Sequence, residues 1–491
     1  MPTISYPRRL SDLARLGADR AAVTCGEHSL TRAELDKASN RMARVLMDYG
    51  VQPGDMVTVC LPNSTDWFVA FAACWKCGAT PQPVSSRLPE RELRSILDLA
   101  QPRVVIGAPP ALVSTSRVLP ASFTPDPGVS DAPLPDVVSP AWKAPTSGGS
   151  TGRPKLIVSG DPAELDPDEP ARFGFADGCL VMPGPLYHNG PIVWSITALL
   201  AGSHVVVLPK FDAEATLSAI DRHRADTVYL VPTMMKRIWR LPEEVRARYD
   251  LSSLRIVWHL AEPCPPWLKE AWIEWLGAER IFELYAGTEA QAATVITGTE
   301  WLAHKGSVGR PIAGSIMICS PEGEELPPGV SGEVWMRNER ATPTYRYVGA
   351  EARTRKGGWE SLGDLGYVDE DGYLYLNDRL QDMILSGGAN VYPAEVEAAL
   401  QEFPGVRSCA VIGLPDDDLG NRVHAIVEAS PEECSTDDLL TFLGERLARY
   451  KLPRSFEFTD EPLRDDAGKL RRSALIAQRV EADNGNGLTS R

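Results

Sequence analysis

The stretch Thr146-Ser147-Gly148-Gly149-Ser150-Thr151-Gly152-Arg153-Pro154-Lys155 decides how this chain reads. Glycines leave backbone N–H groups open, hydroxyls add donors, and a terminal lysine adds charge: together, the set that a polyphosphate requires. It is not a Walker loop, because no Gly-Lys-Ser/Thr closes it. The same residues contain Gly148-x-Ser150-x-Gly152, the nucleophile pattern of serine hydrolases. That pattern needs a strand before the serine and a helix after it. Here Pro154 leads into Lys155-Leu156-Ile157-Val158, which reads as a strand, so the hydrolase is a remote alternative.

Around this loop lies a chain of 491 residues with 43% hydrophobic content, enough for roughly two to four structural units with a large core. Its 40 glycines and 41 prolines are about a sixth of the residues, below the roughly 25–30% of low-complexity chains. A net charge of −16 argues against nucleic-acid or anionic-membrane partners, which need a positive field. Arg8-Arg9 is followed by no apolar segment, and the apolar stretch Trp67 to Cys77 is far short of the ~20 residues that span a bilayer. A cytoplasmic protein with no integral membrane part is expected. Nine scattered cysteines make no disulfide framework. Cys74 and Cys77 form a CxxC without a second pair or a nearby histidine, and read as small buried thiols in a core helix.

The patterning before residue 210 alternates helix and strand. Leu30 to Tyr49 is helical with Thr31 as N-cap, and Asn63 to Asp66 can cap the next helix. Val57–Leu61, Pro81–Val84, Val104–Ile106 and Val205–Leu208 read as short extended runs, as in a buried parallel sheet. That alternation means an α/β architecture. Pro120 to Pro140 is a connector, and the residues from Glu481 to Arg491 read as a disordered tail. Gly332–Met336 and Gly372–Leu376 suit an antiparallel piece. A boundary near 380 separates residues 1–380 from a small α+β block at 381–480, with helices Pro393–Gln401 and Thr436–Ala448 and strands Cys409–Ile412 and Val423–Glu428.

The loop at 146–155 resembles the phosphate loop of the adenylate-forming superfamily, and further motifs follow in that superfamily's order from about residue 10 to 475. Pro185-Leu186-Tyr187-His188-Asn189-Gly190 resembles the segment that sets a histidine beside the acyl pocket. Tyr285-Ala286-Gly287-Thr288-Glu289 is similar to the adenine and magnesium motif, Gly363-Asp364-Leu365-Gly366 to the ribose motif, and Asp378-Arg379-Leu380-Gln381-Asp382 to the hinge. Ser386-Gly387-Gly388 looks like the loop lining the pantetheine tunnel. Asp465-Asp466-Ala467-Gly468-Lys469 looks like the motif whose lysine serves adenylation. Two positions depart from the superfamily's usual pattern: Ala286 replaces a frequent glycine, and Gln381 stands where Asp or Lys is usual.

The resemblance implies two α/β lobes, a small β-barrel and a mobile C-terminal domain. It implies an acyl-CoA synthetase that uses ATP, Mg²⁺ and CoA on a small-molecule carboxylic acid, as a monomer or a homodimer. Lys469, Thr288, Glu289 (holding Mg²⁺) and His188 would be catalytic. Ser147, Gly148, Gly149, Ser150, Thr151, Gly152, Lys155, Glu262, Tyr285, Ala286, Gly287, Asp364 and Arg379 would bind the nucleotide. Gln381 would be the hinge, and Gly387 and Gly388 would meet CoA. His188, Asn189, Trp194, Met234, Ala290 and Ala293 would line the acyl pocket, and its small residues leave room for a bulky apolar (fatty, aromatic or steroid) acid. A weaker, branch-level likeness is to bacterial bile-acid and steroid-acid CoA ligases. No carrier-protein segment follows the small block, and no Asp stands in 185–190 to hold an amino-acid ammonium; both favour CoA. A free-standing ligase that loads a separate carrier protein is the alternative.

Overall fold

The computed structural model describes residues 3–113, 116–148, 154–169, 172–416, 418–430, 434–465 and 468–486, without the side chains of 147, 148 and 481–486. Helix Arg32–Asp48 opens with a capping box in which Thr31 and Glu34 satisfy each other's backbone N–H groups. Ser64 caps Thr65–Lys76, a helix buried on every side. Between its polar ends, Asp66 and Lys76, its sequence is apolar all round, so it sits between layers. Trp67 stacks on Phe71 at 3.8 Å, and Cys74 lies wholly inside. Burial pushes the Cys77 thiol up to about 12, which suits an inert core cysteine.

One side of this helix faces a four-stranded parallel sheet ordered Thr80–Pro83, Met56–Val59, Val104–Ile106, Arg117–Leu119. The other faces a larger sheet whose parallel centre is Ala21–Cys25, His204–Val207, Cys179–Met182, Thr227–Leu230, Ile256–Leu260 and Ile281–Ala286. A continuous apolar core joins the two. The antiparallel unit expected around Gly332–Met336 extends the larger sheet through Ala293–Thr297 and Ser307–Ala313 to Leu374–Arg379, Trp359–Val368, Gly332–Arg337 and Ser315–Cys319.

A separate core runs from Ile384 to Leu443. It is built by helix Pro393–Glu402, strands Ser408–Asp416, Gly420–Glu428 and Ser455–Thr459, and helix Thr436–Gly444. This last helix stops four residues earlier than its apolar pattern suggested, at a glycine, which weakens helices. The C-terminal helix Arg472–Asn486 continues six residues into the stretch expected as a disordered tail. Leu475, Ile476 and Val480 hold it against the outer face of strand Ser408–Asp416. No helix among the described residues is long and apolar enough to cross a membrane.

Candidate active site

A cleft of about 3040 Å³ opens between these two parts and is lined by residues of both. One wall starts where strand Ile281–Ala286 ends. The Tyr285 hydroxyl donates to Asp364 Oδ2 at 2.6 Å, and Arg379 Nε lies 3.2 Å from Asp364 Oδ1. Asp364 and Arg379 face each other across paired strands. Burial, reinforced by the Asp364 carboxylate, holds the Tyr285 hydroxyl far above its ordinary pKa; the same carboxylate raises that of Arg379. A carboxylate has about four acceptor positions, so Asp364 keeps room for two ribose hydroxyls. A Cβ at Gly287 would meet the Leu362 side-chain methyl, so a larger residue here would have to displace Leu362.

Glu289 follows at the same edge and is 5% exposed. Tyr347 donates to its Oε1 at 2.5 Å, and Thr344 donates to its backbone oxygen at 2.6 Å. Lys155 Nζ stands 3.5 Å from Glu289 Oε1 and 3.9 Å from the centroid of the Tyr347 ring. Lys155 is placed by strand Pro154–Ser159, which pairs with Tyr345–Val348. That strand occupies the position where a serine-hydrolase elbow would need a helix, so the hydrolase reading fails. No group of three or more His, Cys, Asp or Glu capable of holding a metal occurs among the described residues. The arrangement fits Mg²⁺ bound through one carboxylate together with phosphate oxygens and water.

A second wall is built on helix Asn189–Ala201, with His188 at its N-cap. A Cβ at Gly190 would overlap the Tyr229 hydroxyl, so the first turn presses directly on the pocket. Trp194 stacks on Phe173 at 4.0 Å and meets Tyr229 and Trp258 edge-on at 5.5 and 5.7 Å. Met234 joins this wall from helix Pro232–Trp239. Burial, then the charges of Lys469 and Arg471, drives the His188 pKa well below its usual value, so its imidazole is neutral. One residue here escaped the sequence reading. Lys143, 5% exposed, lines the cleft and donates to Asn189 Oδ1. Its signal was a lone cation among apolar residues in Ala141-Trp142-Lys143-Ala144, just before the phosphate loop.

The C-terminal part closes over this site. Lys469 enters the cleft, where the surrounding protein lowers its pKa and Asp465 and Glu289 oppose that effect. Gly468, at φ +78°, lies so close to Glu262 that a Cβ would overlap Glu262 Oε1. Glu262 accepts at Oε2 from the Thr233 N–H and hydroxyl at 3.0 and 2.8 Å, and burial raises its pKa. Arg471 Nη1 reaches Glu92 Oε2 at 3.2 Å across the cleft, and Arg240 donates to the Val406 carbonyl at 2.5 Å, so an ion pair and a hydrogen bond join the two parts.

Most residues singled out from the sequence therefore meet here: Lys155, His188, Asn189, Trp194, Met234, Glu262, Tyr285, Ala286, Gly287, Thr288, Glu289, Ala290, Ala293, Asp364, Arg379, Gln381 and Lys469 all line the cleft. Ser147 and Gly148 lie on the backbone of strand Thr146–Gly148, whereas Gly149, Ser150, Thr151 and Gly152 fall outside the described residues. Gly387 and Gly388 stand apart from the cleft. They form the two-residue turn between strands Ile384–Ser386 and Ala389–Val391, with φ +56° and +80°, which a tight hairpin reserves for glycine.

A cleft lined by both parts of the chain, with Glu289, Asp364 and Lys469 in its wall, is what an adenylate-forming enzyme requires. The chain belongs to the AMP-binding enzyme family, which matches residues 11–346, with the C-terminal domain of AMP-binding enzymes matching 395–469. It falls in the acyl-CoA synthetase branch of the superfamily. It is 34% identical over 481 residues to a feruloyl-CoA synthase of Amycolatopsis sp., covering 93% of this chain and 95% of the relative. It is also 34% identical over 490 residues to the fatty acid–[acyl-carrier-protein] ligase ScoC of Streptomyces coeruleorubidus, covering 92% of each. Among solved structures, the amide bond synthetase McbA from Marinactinospora thermotolerans superposes with a TM-score of 0.78 at 27% identity, over 96% of this chain and 99% of that one.

Proposed function

We propose that the protein is an ATP-dependent carboxylic acid–CoA ligase for a bulky, largely apolar acid. The observation that carries this reading is Lys469 inside the cleft that also holds Glu289, Asp364 and His188. In the first half-reaction the substrate carboxylate attacks the α-phosphorus of ATP and pyrophosphate leaves, giving acyl-AMP. Tyr285 stacks on adenine, Asp364 and Arg379 hold the ribose, and Thr288 and Lys469 offset the charge that grows on the α-phosphate oxygens. Lys155 and the 146–152 loop hold the leaving pyrophosphate. Mg²⁺ on Glu289, when bound, neutralises phosphate charge. Neutral His188 lies beside the carboxylate without adding a charge of its own.

For the second half-reaction, residues 381–480 turn about Gln381 against residues 1–380. Lys469 withdraws, and the hairpin tip Gly387-Gly388 accompanies the pantetheine arm. The CoA thiol loses its proton, the thiolate sulfur bonds to the acyl carbon, and the C–O bond to AMP breaks. Hinged closure of this kind is common where two steps share one site. The aromatic wall of Phe173, Trp194 and Tyr229, backed by Trp258, supports an apolar acyl chain. The carrier-protein acceptor is the second reading, favoured by the likeness to ScoC.

A mass-spectrometric product assay with ATP, Mg²⁺ and short, fatty, aromatic and steroid acids, with and without CoA, tests both. Acyl-CoA and AMP from a bulky class bear out the proposal. Acyl-AMP that accumulates while CoA is ignored moves the acceptor to a carrier protein. A higher kcat/KM for propionate than for every larger acid removes the bulky pocket.

A further inference from the structure

Four lysines among the described residues are almost fully buried: Lys76, Lys143, Lys236 and Lys269. Burying an ammonium is costly unless its charge and donors are matched. Lys76 is matched by Asp36 Oδ1 at 2.7 Å, the Asp36 carbonyl at 2.8 Å and Asn40 Oδ1 at 2.8 Å. Lys269 is matched by Glu283 at 2.5 Å. Lys236 has no hydrogen-bond partner among the described residues, but it does not line the cleft. Lys143 alone is both short of a counter-charge and turned to the cleft. It donates to the neutral Asn189 amide oxygen, and its Nζ lies 4.7 Å from the centroid of the Trp142 ring. No carboxylate of a described residue lies within 4.0 Å of it; Glu289 and Asp161 act on it only from farther away.

Position decides which part of the cleft this cation serves. The Lys143 carbonyl accepts from Ser159 N–H at 3.0 Å and the Pro145 carbonyl from Ile157 N–H at 2.9 Å, continuing the ladder that pairs Ser147 with Lys155. Lys143 is thus three residues before the start of the phosphate loop at Thr146, on the order of 10 Å along an extended strand. Its partner Asn189 follows His188 on the helix that carries Trp194. We propose that Lys143 is an anion anchor in the acyl part of the cleft, and that the acid this enzyme activates carries a second carboxylate on its apolar skeleton to pair with it. This rests on the ligase reading above. One carboxylate is consumed at the α-phosphate, so an acid with only one leaves Lys143 unmatched. A site built around a polar contact rejects analogues that lack it more strongly than an apolar pocket rejects a change of size.

The test is the rate of acyl-AMP formation with a matched pair of arylalkanoic acids, one bearing a ring carboxylate and the other a methyl group in its place. Wild-type enzyme should favour the diacid in kcat/KM by at least about tenfold. Lys143→Met should bring that ratio near one by losing the diacid, with KM for ATP and CoA within about twofold of wild type. Burial lowers the Lys143 ammonium to about 7. In wild type, KM for the diacid should therefore rise as pH passes above that value while KM for the methyl analogue stays level, a readout that holds even if the variant does not fold. An unchanged ratio in a working ligase, or a rise in KM for ATP or CoA instead, overturns the inference and leaves the ligase standing. Wild type that forms no acyl-AMP from any acid removes the ligase reading and this inference with it.

Discussion

The hydroxyl of Tyr285 donates to Asp364 Oδ2 at 2.6 Å across 79 positions of sequence, coupling the end of strand Ile281–Ala286 to strand Trp359–Val368. A hydrogen bond to a charged group contributes about 1.5–3 kcal/mol. Tyr285→Phe keeps the ring for stacking but frees Asp364 to move. KM for ATP in pyrophosphate exchange should rise roughly 10- to 100-fold with little change in Tm. An unchanged KM would mean that the contact does not order the site.

Lys469→Ala should separate the two half-reactions. Loss of one preorganised charge at the reacting phosphate costs on the order of 10²–10³ in kcat. Pyrophosphate exchange should fall by that amount, whereas conversion of supplied acyl-AMP to acyl-CoA should continue. Equal loss of both would show that the role of Lys469 is not confined to adenylation.

Gly468→Ala probes the same closure sterically. The new Cβ would overlap Glu262 Oε1, and the position has φ +78°, which costs a non-glycine residue about 1–2 kcal/mol. Because the clash lies between the two parts and not inside either core, unfolding should shift by only a few degrees while adenylation falls at least about tenfold. Wild-type adenylation in this variant would show that closure does not need the contact.

Gln381→Pro tests the hinge. A fixed φ restricts rotation there. Adenylation, which uses the closed arrangement, should be spared, and thioester formation should be blocked in a single-turnover assay. If both fall together, position 381 is not the pivot.

The pKa of His188 gives a pH expectation. Burial and the Lys469 and Arg471 charges hold it well below 6.5, so the folded enzyme keeps the imidazole neutral while the unfolded chain protonates it below about 6.5. The resulting stability is complete above that pH and is lost as pH falls below it. The rate of adenylation should show no break near pH 6.5. A break there that disappears in His188→Asn would contradict the neutral assignment.

Much of the cleft lining was legible because the residues singled out for it sit in short local motifs: Tyr285 to Glu289, Asp364 beside Gly363, and Lys469 after Gly468. The parallel strands and capped helices around Thr31 and Ser64 were legible for the same reason, since period and caps are local signals. What stayed hidden depends on distant parts of the chain meeting. Tyr347 reaches Glu289 across 58 positions, and Arg471 reaches Glu92 across 379. Lys143 is a single letter whose meaning comes from burial, which no spacing reports. The C-terminal helix ran past Glu481 because Leu475, Ile476 and Val480 find a strand face to cover.

The ion pair between Arg471 and Glu92 has a consequence for the medium in which the enzyme works. Both side chains are partly open to solvent, at 61% and 31% exposure, so dissolved ions screen them within about 10 Å at 0.1 M. Exposed pairs of this kind contribute about 0–1 kcal/mol, up to about fivefold in a balance between two arrangements. Rising ionic strength would thus loosen the closed arrangement first, and the fraction of acyl-AMP passed onward would depend on salt even where the chemistry at phosphorus does not.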